Sequence, residues 1–255
     1  MKNFLFLLYI IFSFEIYSVK NQQQLPPYYP KCYRDDPKLN DCLLKATETV
    51  KPFLKRGVPE LNFPKLSPFI IPEVSLEQGT SAVNYKAILN NIKIIGLDSY
   101  HFRKFEFDVA NLRFLGSLDV DDVYIKADYN IQGKILAVPI EGKGVLTANI
   151  TNSNATVSQQ AKLVTKKGVT YLEPEKTVVN IDVGGVQPSF DGLFGGNEIL
   201  AKATNEVIHD NLKELVEEIK PAIEEVMTRV VQDLIFKSVA RIPYDELYPV
   251  HGKKT

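Results

Sequence analysis

The stretch "NEILAKATNEVIHDNLKELVEEIKPAIEEVMTRVVQDLIFKSVA", residues 197–240, carries a sustained apolar periodicity. Its apolar residues recur three and four positions apart, with charged residues between them, which predicts an amphipathic helix. Asn197 follows two glycines and can cap the first turn of this helix. Pro221 lies inside the stretch, but the apolar stripe keeps its phase on both sides of the proline. We therefore predict one long helix kinked at Pro221 rather than a helical hairpin.

The predicted helix is too long for a spherical domain. About 44 residues at 1.5 Å each span ~66 Å, whereas a domain of this size has a diameter of about 45 Å. The domain should therefore be elongated, with a sheet lying along the helix. The apolar stripe then has two interpretations: an ordinary packed core, or one wall of an apolar tunnel that holds a small ligand.

Residues 74–186 are predicted to form β-strands. Apolar and polar residues alternate in several runs, and turn signals such as QGK at 132–134 separate them. This pattern is typical of hairpins in an antiparallel meander. Gly142 and Gly144 interrupt one run, at positions typical of β-bulges or sharp bends. We therefore predict a highly curved antiparallel sheet.

The N-terminus has the layout of a secretory signal peptide. Residues 1–18 combine the basic Lys2, an apolar run and the small Ser18 at a cleavage point. The apolar run is short for a membrane span, and an uncleaved signal anchor is the alternative interpretation. The polar, proline-bearing residues 19–31 are expected to form a flexible leader, and residues 251–255 a polar tail.

Cys32 and Cys42 are the only two cysteines, in the stretch "CYRDDPKLNDC". In an oxidising compartment two nearby cysteines usually pair, and closing a loop of about eleven residues contributes roughly 2.5–3 kcal/mol in the chain-entropy model. A zinc site would need two further ligands, and the three histidines show no metal-like spacing near this loop. A redox C-x-x-C motif is absent. We therefore predict a structural disulfide.

The segment after the cysteines changes from helical to extended. Apolar residues at helical spacing predict a helix from about Pro37, and Gly57 ends it. Prolines at 59, 64, 68 and 72 then exclude a helix, so the chain should run extended there.

Charge and motifs exclude several classes of function. Thirty basic and thirty-one acidic residues, without a long block of one sign, argue against a nucleic-acid partner. The sequence has no nucleophile elbow, phosphate-binding loop, dinucleotide fingerprint or zinc-protease motif. Asp119, Asp121 and Asp122 lack the rest of a calcium loop. We therefore expect no enzyme, no metal site and no cofactor.

Two further sets of polar residues are assigned to the surface. The solvated face of the long helix should carry Glu217, Glu218, Glu224 and Glu225, with Lys213 and Lys220 as partners. Asn149 (in "NIT") and Asn154 (in "NAT") are N-glycosylation acceptors in a secreted chain. Both lie in a polar stretch that we expect to be a hairpin end.

Three stretches carry a family resemblance. They are "CYRDDPKLNDCLLKATETVKPFLKRGVPELNFPKLSPFIIP" from Cys32, "PIEGKGVLTANI" in the middle, and "DNLKELVEEIKPAIEE…IFKSVARIPYDELYP" near the C-terminus. The chain resembles the takeout/juvenile-hormone-binding protein family of secreted arthropod carriers over residues 32–250. Dedicated hormone carriers of the family typically have a second disulfide, which two cysteines cannot supply, so the takeout branch is favoured. Leu212 stands where relatives often carry a tryptophan.

The resemblance implies an α+β fold in which one long C-terminal helix is wrapped by a highly curved antiparallel sheet, enclosing a hydrophobic tunnel. It implies a secreted, non-enzymatic carrier of a terpenoid hormone, fatty acid or similar semiochemical. We expect a monomer without stable membrane insertion. The alternatives are a secreted interaction protein with a solid core, or a secreted esterase. The middle of the tunnel is expected at Ile219, Ile223 and Met227. The expected lining residues are Leu212, Leu215, Val216, Ile219, Ile223, Val226, Met227, Val230, Leu234 and Tyr129.

Overall fold

A computed structural model describes residues 23–79, 83–135 and 138–252. The predicted signal peptide, the first part of the leader and the last three residues of the tail lie outside the described residues. The helices are α1 (Leu39–Arg56), α2 (Glu198–Asp210), α3 (Leu212–Ser238) and α4 (Tyr244–Leu247). The strands are β1 (Phe69–Gly79), β2 (Val83–Ile95), β3 (His101–Asp108), β4 (Arg113–Ile135), β5 (Val138–Lys166), β6 (Val169–Asp182) and β7 (Gly185–Phe190).

The strands form one antiparallel sheet in the order β1-β2-β4-β5-β6, with β3 beside β4 and β7 beside β5. The predicted antiparallel sheet is therefore confirmed, and two very long strands, β4 and β5, form its centre. Register shifts interrupt three of the pairings, β2 with β4, β3 with β4 and β5 with β6. Such bulges increase the local twist, which helps the sheet to curl.

Gly142 and Gly144 do not mark bulges, because the pairing of β4 with β5 passes both without a register shift. A Cβ atom at Gly142 would lie 2.8 Å from the Gly192 carbonyl oxygen, and one at Gly144 would lie 1.8 Å from the Asp191 carbonyl oxygen. Of the two alternatives expected at these glycines, the β-bulge was wrong, and the sharp bend stays a prediction. The two glycines instead allow the backbone of residues 191–193 to lie directly on β5.

The predicted single C-terminal helix is two helices in the structure. Asn211 (φ −113°, ψ 20°) separates α2 from α3, and α3 continues through Pro221. The Asn211 side-chain amide donates a hydrogen bond to the Val207 carbonyl oxygen at 2.8 Å, a local competition that ends α2. Continuity through Pro221 is confirmed, and the prediction of a single helix over residues 197–240 was wrong, because the helix is divided at Asn211.

The N-terminal part is more ordered than its composition suggests. α1 ends before Gly57 (φ 82°), as predicted, and a short 3-10 turn at Pro59–Leu61 precedes the extended chain. In the leader, which we expected to be loose, the described residues pack on the domain. The Tyr28 ring stacks on Phe53 with centroids 3.8 Å apart, and the Leu25 N–H donates to Glu246 Oε1 at 2.8 Å.

Helix α3 closes the curled sheet. It packs against both β6 and β1, which are the two edge strands of the five-strand path. Helix and sheet therefore surround a common interior, and the apolar stripe of α3 faces it. Among the described residues, no helix is long and apolar enough to cross a membrane.

Candidate ligand-binding interior

Helix α3 is fixed to the edge of β6 by side chains one turn apart. The Val179 N–H donates to Thr228 Oγ1 at 3.0 Å, and the Ile181 N–H donates to Glu224 Oε1 at 2.9 Å. Lys220 forms an ion pair with Asp182 at 2.5 Å, and this hydrogen bond raises the pKa of the lysine. Residues 220, 224 and 228 repeat every fourth position, so they form one row along the strand.

This row corrects the expectation that Glu224 belongs to the solvated face and that Lys220 pairs with helix glutamates. Alternate N–H groups of an edge strand have no partner strand and would be unpaired when buried. Thr228 and Glu224 accept two such hydrogen bonds, so α3 takes the place of the next strand at this edge.

Replacing Thr228 with Val should reduce the free energy of unfolding by about 1–3 kcal/mol, because the N–H of Val179 loses its acceptor. Val179 is only 3% exposed, so water cannot replace the hydroxyl. Urea unfolding would measure the loss, and Thr228→Ser, which keeps the hydroxyl, is the matched control. A valine variant as stable as the wild type would contradict this role for Thr228.

Two packed clusters occupy the interior along α3. We name each cluster after one of its buried members. The Tyr129 cluster lies towards the start of α3, and the Val123 cluster lies towards the end of α3. The buried members of the Tyr129 cluster are Tyr85, Ala87, Tyr129, Ile131, Ile140, Leu193, Ile208 and Leu215. The buried members of the Val123 cluster are Leu66, Phe69, Ile92, Ile94, Tyr100, Val123 and Ala127.

The expected lining residues divide between these clusters. Leu215 is buried in the Tyr129 cluster, and Leu212 and Ile219 pack against it. Val230 and Leu234 pack against the Val123 cluster. Of the remaining lining residues on α3, Val216 lies within the first group, and Ile223, Val226 and Met227 lie between the two groups. All four are only partly covered.

Ile223 is the most exposed of these side chains, at 39%. It lies four residues after Ile219 and seven before Val230, and helical spacing places all three on one face. Ile125 and Ile150, on the central strands, are also only half-buried. Their neighbours along each strand point outward, so these two side chains point to the inner face of the sheet. Both pack against the Val123 cluster, as Val230 and Leu234 do. On α3, Ile223 is therefore the apolar side chain of this face that is least covered.

Tyr129 lies deep in its cluster and makes a structural contact. It is 4% exposed, and its hydroxyl donates to the Asp191 carbonyl oxygen at 2.9 Å. Burial raises the pKa of this phenol to about 12. The Tyr129 hydroxyl thus holds the 191–193 backbone against the sheet. Gly142 and Gly144, which lack a side chain, leave room for this backbone.

The disulfide loop forms a contact that sequence analysis missed. Cys32 and Cys42 are joined, which confirms the predicted disulfide. The Arg34 guanidinium contacts Asp245 at 2.5 Å and lies 4.5 Å from the centroid of the Tyr244 ring. It also donates to the Tyr248 carbonyl oxygen. The loop therefore binds the C-terminal segment, defined here as residues 242–252. The paired cysteines and the YDELYP stretch were both noticed in the sequence, but nothing local connects them.

The C-terminal segment also contributes to a small buried cluster. Ile242 is fully buried together with Val58 and Leu61. His251 Nδ1 lies 3.0 Å from Asp35 Oδ1, so the described part of the predicted polar tail is attached to the loop. Within the residues that the structure describes, no group of three or more His, Cys, Asp or Glu side chains could hold a metal ion.

The two glycosylation sequons were expected at a hairpin end, but Asn149 and Asn154 both lie inside β5. That expectation was wrong. The chain does not turn there, because β5 continues through the stretch to Lys166.

The sequence matches the family model described as "Haemolymph juvenile hormone binding protein (JHBP)" over residues 6–249. The chain is 27% identical over 221 residues to the circadian clock-controlled protein daywake of Drosophila melanogaster, covering 83% of this chain and 85% of that protein. The Drosophila yakuba daywake protein is 23% identical over 248 residues, covering 93% of this chain and 94% of that protein.

The fold is also similar to a solved structure. The crystal structure of Epiphyas postvittana Takeout 1 covers 87% of this chain and 100% of its own, with a TM-score of 0.74 and 21% sequence identity. Its curled antiparallel sheet with C-terminal helices is the architecture described above. Because the family model matches nearly the whole sequence, the chain belongs to the takeout/juvenile-hormone-binding protein family.

Proposed function

We propose that the protein is a secreted, non-enzymatic carrier that holds a small lipophilic ligand in a tunnel between the sheet and α3. One observation carries the proposal. The inner face of α3 is incompletely covered around Ile223, between two packed clusters that lie along the same helix. A solid core would cover such a side chain, whereas an elongated apolar ligand would fit between the clusters and bury it.

The family supports the same function. The matching model describes a hormone-binding protein of the haemolymph, an extracellular fluid. Secretion of this chain is proposed from that description and from the signal-peptide layout of residues 1–18.

The chemistry of the interior favours an apolar ligand with few polar groups. The Tyr129 hydroxyl is already engaged. In the buried pair Gln159 and Thr177, the threonine hydroxyl donates to the glutamine carbonyl at 2.5 Å. Burial of about fifteen ligand carbons at about 0.8 kcal/mol each supplies roughly 12 kcal/mol before the costs of association. Affinity would therefore come from apolar burial, and selectivity from the length and width of the space.

Native mass spectrometry of the purified secreted protein tests the proposal. We expect the protein mass plus an adduct of one lipophilic molecule, which denaturing solvent releases and organic extraction identifies. The same spectrum gives the oligomeric state, for which we expect a monomer. Protein with no adduct, and no binding of a fluorescent fatty-acid probe, would instead support an interaction protein with a solid core.

A further inference from the structure

An apolar patch lies on the outer face of the sheet beside one sequon. Ile95 and Tyr124 are exposed by 46% and 36%, and they are direct cross-strand partners in β2 and β4. Asn149 of β5 is the direct partner of Tyr124 on its other side and is also exposed. The three side chains therefore form one row across three neighbouring strands.

The row is on the outer face because the adjacent residues are on the inner face. Ile94, Val123 and Ala148, which precede Ile95, Tyr124 and Asn149, are buried with exposures of 7%, 9% and 8%. Successive residues of a strand point to opposite faces. A group attached to Asn149 must therefore lie outside the sheet, in the same layer as the Tyr124 ring.

Direct cross-strand partners have Cβ atoms about 4.5–5.5 Å apart, and strands are spaced about 4.8 Å apart. A sugar linked to the Asn149 amide therefore reaches the Tyr124 ring, and the next sugar can extend towards Ile95. The C–H face of a pyranose carries partial positive charge, which suits the negative face of an aromatic ring. An oligosaccharide is thus chemically suited to cover this patch.

Asn154 has different surroundings. It is half-buried and is the partner of Asp119 on one side and Asp182 on the other. These carboxylates are engaged in ion pairs with Arg103 at 3.0 Å and Lys220 at 2.5 Å. A glycan at Asn154 would therefore lie beside charged side chains, whereas a glycan at Asn149 would lie beside the ring of Tyr124.

We propose that Asn149 carries an N-linked glycan whose first N-acetylglucosamine lies on Tyr124 and whose second sugar covers Ile95. In its formation, Asn149 Nδ2 displaces the diphosphate of a lipid-linked oligosaccharide, forming the C1–N bond and losing one N–H proton. The glycan then acts as a structural cover for the outer apolar patch. Glycosylation requires passage through the secretory pathway, which is part of the proposed function, but it requires no ligand.

The test uses residues 19–255 behind a vector's secretion leader in insect cells, so the outcome does not depend on residues 1–18. Glycopeptide mapping should find Asn149 modified. Removal of the glycan, through Asn149→Gln or by an amidase on the wild type, should lower the melting temperature by about 2–4 °C. Trimming to a single N-acetylglucosamine should preserve most of the stability, because that sugar makes the contact with Tyr124.

Tyr124→Ser provides the decisive comparison. In this background, removal of the glycan should no longer lower the melting temperature, because the sugar has lost its aromatic partner. The matched control is Asn154→Gln, for which we expect less than a third of the shift. An unmodified Asn149 in the secreted protein, or an equal loss in the wild-type and Tyr124→Ser backgrounds, would overturn the proposal. Neither readout involves ligand binding, so this inference can fail while the carrier function stands.

Discussion

Replacing Ile223 with Trp should weaken the binding of a fluorescent fatty-acid probe by at least about tenfold, equivalent to ~1.4 kcal/mol. The melting temperature should change by no more than about 2–4 °C, which corresponds to about 1 kcal/mol for a domain of this size. The reason is that Ile223 is 39% exposed on a face whose other members pack in the two clusters. An indole placed there would occupy the space that the ligand needs.

A solid core would respond in the opposite way. Adding a large ring to a packed interior costs about 1–3 kcal/mol or more, and the wild type would bind no probe. The matched control is Ile70→Trp, which makes the same change at a side chain 49% exposed on β1 and should leave probe binding unchanged. A large fall in melting temperature for Ile223→Trp, together with a wild type that binds no probe, would contradict the carrier proposal.

Replacing Arg34 with Ala should reduce the free energy of unfolding by about 2–3 kcal/mol, equivalent to a fall of about 5–10 °C in melting temperature. The Arg34 side chain is 17% exposed and joins the disulfide loop to Asp245, Tyr244 and the Tyr248 carbonyl oxygen. Its loss would remove a charge-assisted hydrogen bond and a cation–π contact at once. Differential scanning calorimetry would measure the shift.

Arg34→Lys separates charge from geometry. Lysine keeps the positive charge but lacks the planar fork that contacts a carboxylate and a carbonyl oxygen while lying over a ring. We therefore expect it to recover less than half of the stability lost in Arg34→Ala. Full recovery by lysine would mean that charge alone matters, and an unchanged melting temperature for Arg34→Ala would mean that the loop does not hold the C-terminal segment.

The helices, the strands and the disulfide could be predicted, because each depends on residues that are close together in the sequence. The apolar period of residues 212–238 continues through Pro221. A helix forms there despite the lost backbone donor and the ring clash, because packing of the apolar face supplies most of the stability of such a helix. Strand alternation and the placement of Gly57 after α1 are equally local signals. The disulfide followed from two cysteines at short separation in a chain with a secretory layout.

Other features depend on which distant backbone lies alongside. Glu224 looks solvated in the sequence, yet it accepts a hydrogen bond from β6, as Thr228 does, because α3 lies along the free edge of β6. Gly142 and Gly144 look like bulge positions, yet they admit the 191–193 backbone at close range. The periodicity of one segment does not show which distant segments will lie beside it in the fold.

The sequence by itself thus determined the kinds of elements, the amphipathic face of the last helix, the disulfide and the family. Only the tertiary structure decided that the helix divides at Asn211, that the disulfide loop binds the C-terminal segment, and that Asn149 lies beside Tyr124 rather than in a turn. The physical reason is the range of the interactions. Helical and strand periods reflect contacts between residues close in sequence. Strand register, edge pairing and the exposure of Ile223 result from the packing of residues far apart in the chain.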